Sequence, residues 1–305
     1  MSDAISEVKE AKARDADEPG VTTESLDTGE AHEIITAELI RGIYPESRVR
    51  PRTLTEEHVN DEGTFRLSIL MQMMQQIEDG QCEDFGLGQS FLKEMNLTWF
   101  YVNAYYAFHR PFPSLGEDVI LETWMHPAKG IRFLRENAYY TADGLWGSSS
   151  GEWLLVDRDT RKPAKPQDVI TAGNLVLPQA QRSELKKPAG MRRLRAGTSR
   201  PEGEPVLKYT VQTQDIDLNE HLHNTIYIEL MMKALQTWLG PHFFRACQFS
   251  FLQEVFLDEC LDYYVMADGE LEIQGELWDL ARMEAWVEGK AEAAFVSQVA
   301  YRKDA

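Results

Sequence analysis

Residues Asp215–Leu235 read DIDLNEHLHNTIYIELMMKAL, and the reading of this stretch decides the fold. Tyr227, Leu230, Met231, Ala234, Leu235 and Trp238 recur at the i, i+3, i+4, i+7 spacing of an amphipathic helix. Asn224 suits its N-cap, and Gly240 with Pro241 stops it. Ile226, Ile228 and Met232 widen the apolar stripe beyond what a surface helix needs, so the pattern predicts a helix wrapped by other structure. Immediately ahead of it, Asp217, Asn219 and His221 stand at i, i+2 and i+4. On an extended segment the three side chains would share one face. An acid, an amide and an imidazole would then meet beside a helix N-terminus, whose unpaired N–H groups favour developing negative charge. That set suits attack of water on a carbonyl. Asp217 and Asn219 equally suit a simple Asx turn into the helix.

A fainter copy of the pattern lies upstream. Asp61–Ser68 precedes Leu70, Met73, Met74 and Ile77 much as Asp217–Asn224 precedes the second helix, which sets Phe65 against His221 and Gly63 against Asn219. Strand-like runs follow each helix: Leu97–Phe108, Val119–Trp124, Phe133–Tyr140 and Trp146–Val156 in the first half. Ala246–Phe251, Leu261–Met266, Leu271–Trp278, Ala285–Val287 and Ala293–Tyr301 follow in the second. Each half reads as one long helix and an antiparallel meander, an α+β arrangement in two copies. The first copy is expected to hold substrate and the second to react.

Composition narrows the class. With 305 residues, 43% hydrophobic, the chain has material for two domain cores. A formal net charge of -19 argues against nucleic-acid binding. No apolar run approaches the roughly 18 residues of a membrane span, and the acid-rich start lacks the features of a signal or transit peptide, so a cytoplasmic protein without stable membrane insertion is expected. Cys82, Cys247 and Cys260 are too few and scattered for a disulfide framework and form no CxxC pair. His221 and His223 lack a convincingly spaced third ligand, and neither a metal nor another cofactor is expected. His223 is expected to face solvent or a neighbouring loop.

The charge is uneven. Residues 1–33 hold ten acids against three bases, the composition of a disordered tail. From Arg158 to Arg200 eleven Lys and Arg face three acids, among them Arg192, Arg193 and Arg195. This basic island is either a solvated Pro-rich linker or a docking surface for an acidic partner. The expected organisation is a tail over 1–35, a first domain over 36–165, a basic linker over 166–204 and a second domain over 205–305.

Three separated motifs in order resemble one family. Asp217, Asn219, His221, Asn224 and Tyr227 form D-x-N-x-H-x-x-N-x-x-Y, which resembles the signature of acyl-ACP thioesterases of the plant and bacterial type. FHRPFPSLGEDVILETW (Phe108–Trp124) and WLLVDRDTRKPAKP (Trp153–Pro166) carry the likeness through the first half. The resemblance covers roughly residues 36–302. It implies a tandem, or double, hotdog fold, each half a long helix wrapped by an antiparallel sheet, with the acyl chain in the first half and the catalytic groups in the second. It also implies hydrolysis of a fatty acyl thioester carried on acyl carrier protein, a step of lipid metabolism and fatty acid biosynthesis. That carrier is acidic, which would give the basic island its partner.

The resemblance adds Glu254 as a further site residue. The plant enzymes have cysteine at the next position and this chain has Val255, which favours direct attack of water over an acyl-enzyme. The expected catalytic set is Asp217, Asn219, His221 and Glu254: the two acids and the imidazole activate water, and Asn219 binds the thioester oxygen. Asn224, Met71, Met74, Arg192, Arg193 and Arg195 are expected to contact substrate or its carrier. An acyl-CoA thioesterase is the nearest alternative. A hotdog enoyl-thioester hydratase would place histidine five residues after the acid, where this chain has Leu222. Monomer and homodimer both remain open.

Overall fold

The computed structural model describes residues 35–177, 191, 194–217, 219–240 and 242–303. The expected tail therefore lies outside the described residues, apart from Ile35. The first element, α1 (Ala37–Ile43), is capped by the Thr36 hydroxyl and packs on β1 (Arg48–Thr53). A turn of 3₁₀ helix leads to α2 (Leu67–Asp84), followed by the short α3 (Gln89–Glu94). The meander β2 (Leu97–Phe108), β3 (Asp118–Met125), β4 (Phe133–Thr141) and β5 (Gly144–Asp157) completes the first half. After α4 (Pro166–Gly173) the order repeats: β6 (Leu207–Thr210), a 3₁₀ turn, α5 (Asn224–Leu239), then β7 (His242–Phe251), β8 (Cys260–Ile273), β9 (Glu276–Val287) and β10 (Ala293–Lys303).

All ten strands form one sheet in the order β1-β3-β4-β5-β2-β7-β10-β9-β8-β6. The halves join where β2 pairs antiparallel with β7, from Asn103 opposite Ser250 to Ala107 opposite Ala246. Both helices lie on the same face of this sheet and share one core: Leu70, Met71, Met74 and Ile77 of α2 with Tyr227, Ile228, Met231, Ala234 and Leu235 of α5. Ser68 Oγ donates to Glu229 Oε2 at 3.4 Å between them. Each half is a helix wrapped by antiparallel sheet, the tandem hotdog that the motifs imply.

The two halves superpose by a constant offset. The 3₁₀ turns Glu56–His58 and Thr213–Asp215, the bridges Val59–Phe65 and Ile216–Leu222, and the hydrogen bonds Arg66 N–H to His58 C=O and His223 N–H to Asp215 C=O all correspond. This moves the repeat by one residue from the alignment drawn on sequence. Thr64, not Phe65, stands where the second half has His221, and Asn60, not Asp61, stands where it has Asp217. The reason is chemical: each turn is organised by an Asx side chain, and the sequence comparison matched acid to acid.

Three further readings are corrected. Leu261–Met266 and Leu271–Trp278 are not separate strands; β8 runs through a bulge between Ala267 and Glu270 and turns into β9 at Gln274-Gly275, both in the left-handed region. The expected irregular linker begins with a helix, α4, which has Pro166 in its first turn and buries Val169. Later linker residues run over the second-half strands on the face opposite the helices, where Met191 packs with Trp278 and Leu280, and Leu194 with Tyr264 and Trp286. No helix among the described residues is long and apolar enough to cross a membrane.

Candidate active site

The segment before α5 is a tight turn, not the extended run that the i, i+2, i+4 spacing suggested. Asp217 N–H donates to the His221 carbonyl at 2.9 Å and Glu220 N–H to the Asp217 carbonyl at 3.1 Å, with Glu220 at φ 68°. The Asp217 carboxylate holds the turn from inside, accepting from Asn219 N–H at 2.7 Å and His221 N–H at 3.4 Å. Its other oxygen lies 3.5 Å from Asn219 Nδ2. Asp217 thus makes the Asx turn its residue type favours, and its contacts stay within the loop.

His221 and Glu254 do come together. The imidazole Nε2 lies 3.3 Å from Glu254 Oε1, with Phe256 edge-on to the ring. Glu254 follows β7 and is set in place because Leu222 N–H donates to the neighbouring Val255 carbonyl at 2.7 Å, while Val255 itself is buried in the core. Lys290 Nζ reaches the Glu254 carbonyl at 3.4 Å. Asn219 has a separate partner: Thr98 Oγ1, at the start of β2, donates to its Oδ1 at 3.4 Å. The four expected residues therefore occupy one corner as two pairs, Glu254 with His221 and Asp217 with Asn219.

A residue that the sequence did not single out completes the first pair. Arg161 Nη2 lies 2.9 Å from His221 Nε2, 3.0 Å from Glu254 Oε1 and 3.1 Å from Glu254 Oε2. It comes from the first half, in the turn that follows β5. Guanidinium is only ever a donor, so in the hydrogen bond with Arg161 the His221 Nε2 is the acceptor. Arg161 is 46% exposed and Glu254 29%, an ion pair worth about 0–1 kcal/mol in stability. Its backbone is left-handed at φ 57°, a conformation that costs a non-glycine residue about 1–2 kcal/mol. The pair hardly offsets that strain.

The α5 N-terminus adjoins the pair. Its cap is His223, not Asn224; the His223 ring is partly buried, Nδ1 accepts from Thr225 N–H at 3.3 Å, and burial lowers the basicity of the ring. Asn224 is the first helical residue, and its Oδ1 is buried with no hydrogen-bond partner among the described residues. Burial also holds Tyr227 protonated, with its hydroxyl donating to the Gln253 carbonyl at 3.4 Å.

A half-open pocket lies in the first half beside the C-terminal part of α2, its roughly 320 Å³ of empty space continuous with open solvent. Trp99, Met125, Phe133 and Trp153 form its apolar wall, and Glu78, Asp79, Cys82 and Arg135 its polar one. Aromatic rings lead from it toward Glu254: Trp153 stacks on Tyr101 at 4.1 Å, and Tyr101 on Phe251 at 5.6 Å. Gly151 is required in this path, since a Cβ there would sit 2.7 Å from the Tyr101 ring. Met71 and Met74 lie elsewhere, buried in the shared core and absent from the cavity lining. Arg192 and Arg193 lie outside the described residues. Arg195 is exposed over the second half, with its carbonyl bonded by Arg282, a mid-strand residue of β9 remote from the strand ends that carry the site. Among the described residues, no three His, Cys, Asp or Glu side chains gather as a metal site would need.

A tandem hotdog with a carboxylate–imidazole pair at its seam defines a class of thioester-processing protein, and comparison with known proteins narrows it. The acyl-ACP thioesterase N-terminal domain matches residues 53–173 and the C-terminal domain residues 198–294. This chain belongs to the acyl-ACP thioesterase family. Among curated relatives, oleoyl-acyl carrier protein thioesterase 1 of Arabidopsis thaliana is 20% identical over 70% of this chain and 62% of its own length. The corresponding coriander (Coriandrum sativum) enzyme is 21% identical over 56% of this chain, and the match covers 47% of that enzyme's length. The chain thus spans less than two thirds of these first two relatives. The fold is shared with an acyl-ACP thioesterase from Bacteroides thetaiotaomicron (TM-score 0.68, 19% identity, 85% of this chain and 98% of that one). It is shared also with the 12:0-ACP thioesterase from Umbellularia californica (TM-score 0.66, 16% identity, 88% and 98%).

Proposed function

We propose that this protein hydrolyses fatty acyl thioesters carried on acyl carrier protein, with Glu254 as the principal base. The observation that carries the reading is the Glu254–His221 contact of 3.3 Å beside the N-terminus of a sixteen-residue helix. Glu254 takes a proton from water as its oxygen attacks the thioester carbon. The charge then forming on the thioester oxygen is met by Asn219 and the helix N-terminus; one such donor is worth roughly 2.7–4 kcal/mol in the transition state. Collapse of the tetrahedral intermediate breaks the C–S bond, and the proton passes through His221 to the departing thiolate. Asp217 serves by fixing the turn that presents Asn219 and His221.

The acyl chain occupies the cavity between α2 and the first-half strands, along Trp99, Phe133 and Trp153. The orphaned Asn224 Oδ1 suits an N–H donor such as the amides of the phosphopantetheine arm. The protein carrier is favoured over CoA by family membership and by the other cations that begin the basic island next to the site, Arg158, Lys162 and Lys165. We place the activity in the cytoplasm.

The test is thiol release from acyl-ACP and acyl-CoA of several chain lengths, with Glu254→Gln, His221→Ala and Asp217→Asn beside the wild type. Undiminished hydrolysis by all three variants moves the active site elsewhere. Equal kcat/KM on both carriers replaces the carrier assignment with an acyl-CoA thioesterase.

A further inference from the structure

The Glu254–His221 pair has a third member whose presence the ordinary stability rules do not account for. One nitrogen, Arg161 Nη2, faces three acceptors within 3.1 Å: both Glu254 oxygens and His221 Nε2. That nitrogen carries two hydrogens for three acceptor atoms, so one of the three is always left without a bond from it. The surplus is the property a base needs, because an acceptor already satisfied would have to break a hydrogen bond before taking a proton from water. When His221 gains a proton at Nε2, that nitrogen becomes a donor to Glu254 Oε1 and gives up its contact with Arg161, which keeps the carboxylate.

The loop that delivers Arg161 is built as a rigid support. The Asp157 carboxylate accepts from Thr160 N–H at 2.7 Å, Thr160 Oγ1 at 2.8 Å and Asp159 N–H at 3.2 Å. These bonds, the Thr160 N–H foremost, hold its acidity above that of an ordinary carboxyl. Asp157 N–H closes the turn on the Lys162 carbonyl at 3.0 Å, and Arg161 N–H returns to the Asp157 carbonyl at 3.0 Å. Arg158 Nε anchors the loop to the Leu97 carbonyl at 3.0 Å, at the start of β2. A left-handed position in such a turn suits glycine. An arginine there gains its place through its side chain, and that side chain ends on the base.

We propose that Arg161 is a positioning residue for the hydrolytic reaction: the first half, besides holding the acyl chain, reaches across the seam and aligns Glu254 and His221. The proposal rests on the assignment of Glu254 as base, and the two are separable by experiment. Arg161→Gly removes the guanidinium while suiting the backbone, so its Tm is expected to equal or exceed that of the wild type. Its kcat on a saturating acyl thioester is expected to fall about 10²-fold, the cost of a misplaced catalytic group, with KM changed less than about threefold. Added guanidinium ion is expected to restore part of the lost kcat, and Arg161→Lys to retain more activity than Arg161→Gly. In Arg161→Gly/Glu254→Gln the loss is expected to match that of Glu254→Gln alone, because residues acting as a unit are not additive. A kcat for Arg161→Gly within about twofold of wild type, with Glu254→Gln inactive, overturns the positioning role and leaves the base assignment standing. So does a loss that guanidinium does not restore and Arg161→Lys shares in full. Full activity in Glu254→Gln instead removes the base assignment on which the proposal rests.

Discussion

The loops that introduce the two long helices share one backbone and differ in what they carry. In the first, Asn60 Oδ1 accepts from Thr64 N–H at 2.8 Å and Gly63 takes the left-handed position; in the second, Asp217 and Glu220 fill those places. Phe65 N–H bonds the Pro113 carbonyl as Leu222 N–H bonds that of Val255, so Phe112 stands where the second half has Glu254. Thr64 and Phe112 cannot activate water; His221 and Glu254 can. The helices differ in the opposite sense. Leu235 is buried in the core, whereas its counterpart Glu78 lies at the wall of the cavity. One half carries the carboxylate–imidazole corner and the other a pocket, so the two copies of the fold differ in side chains without differing in architecture.

That contrast breaks most visibly at the corners. Glu254→Gln is expected to lower kcat by about 10²–10⁴, the range of a positioned base, while Phe112→Leu leaves it unchanged; equal losses measured by thiol release would end the distinction. Next in size is the turn residue. Asp217→Asn keeps an Asx side chain and is expected to lose less activity than Asp217→Ala; a loss for the Asn variant equal to that of Glu254→Gln would make Asp217 a base in its own right. In the first half the matching change, Asn60→Ala, is expected to cost about 0.5–1.5 kcal/mol in denaturant unfolding and nothing in kcat.

Glu78 provides a smaller, pH-dependent effect. Burial raises its carboxyl above the ordinary range, with Asn137 Nδ2 donating to Oε1 at 3.0 Å as a partial offset. The folded state then binds the proton more firmly than the unfolded chain. Its contribution to stability is complete below the unfolded value of about 4.3 and is lost as pH rises through the raised folded value. Glu78→Gln is expected to raise Tm at neutral pH and flatten that dependence; an identical Tm–pH curve for both proteins would count against it. Least in size is the exposed linker charge: Arg195→Glu is expected to raise KM for acyl-ACP at low salt and leave kcat alone, and an unchanged KM removes Arg195 from carrier docking.

The sequence pattern revealed what periodicity and packing control. Leu97–Phe108 emerges with the bounds its aromatic and β-branched residues suggest, and of the predicted helical stripe Tyr227, Ile228, Leu230, Met231, Ala234 and Leu235 are buried in α5, Ile226 and Met232 are partly buried and Trp238 is exposed. The two strands it missed are the sheet's outermost ones. RVRPRT in β1 and LKYT in β6 carry the charges and proline that keep edges from pairing further, and such residues do not read as strand. At the site, residue types were legible and geometry was not. Alternation cannot reveal that Asp217 folds its own loop, and Arg161 sits in a basic stretch with nothing local to separate it from Arg158 or Lys162. Its importance arises from tertiary contact with a residue 93 positions away.

The β2–β7 seam imposes a route. Because the backbone ladder runs unbroken from Asn103 and Ser250 to Ala107 and Ala246, with Tyr106 and Phe249 stacked beneath it, the halves cannot hinge apart to admit a lipid without tearing main-chain bonds from the middle of the sheet.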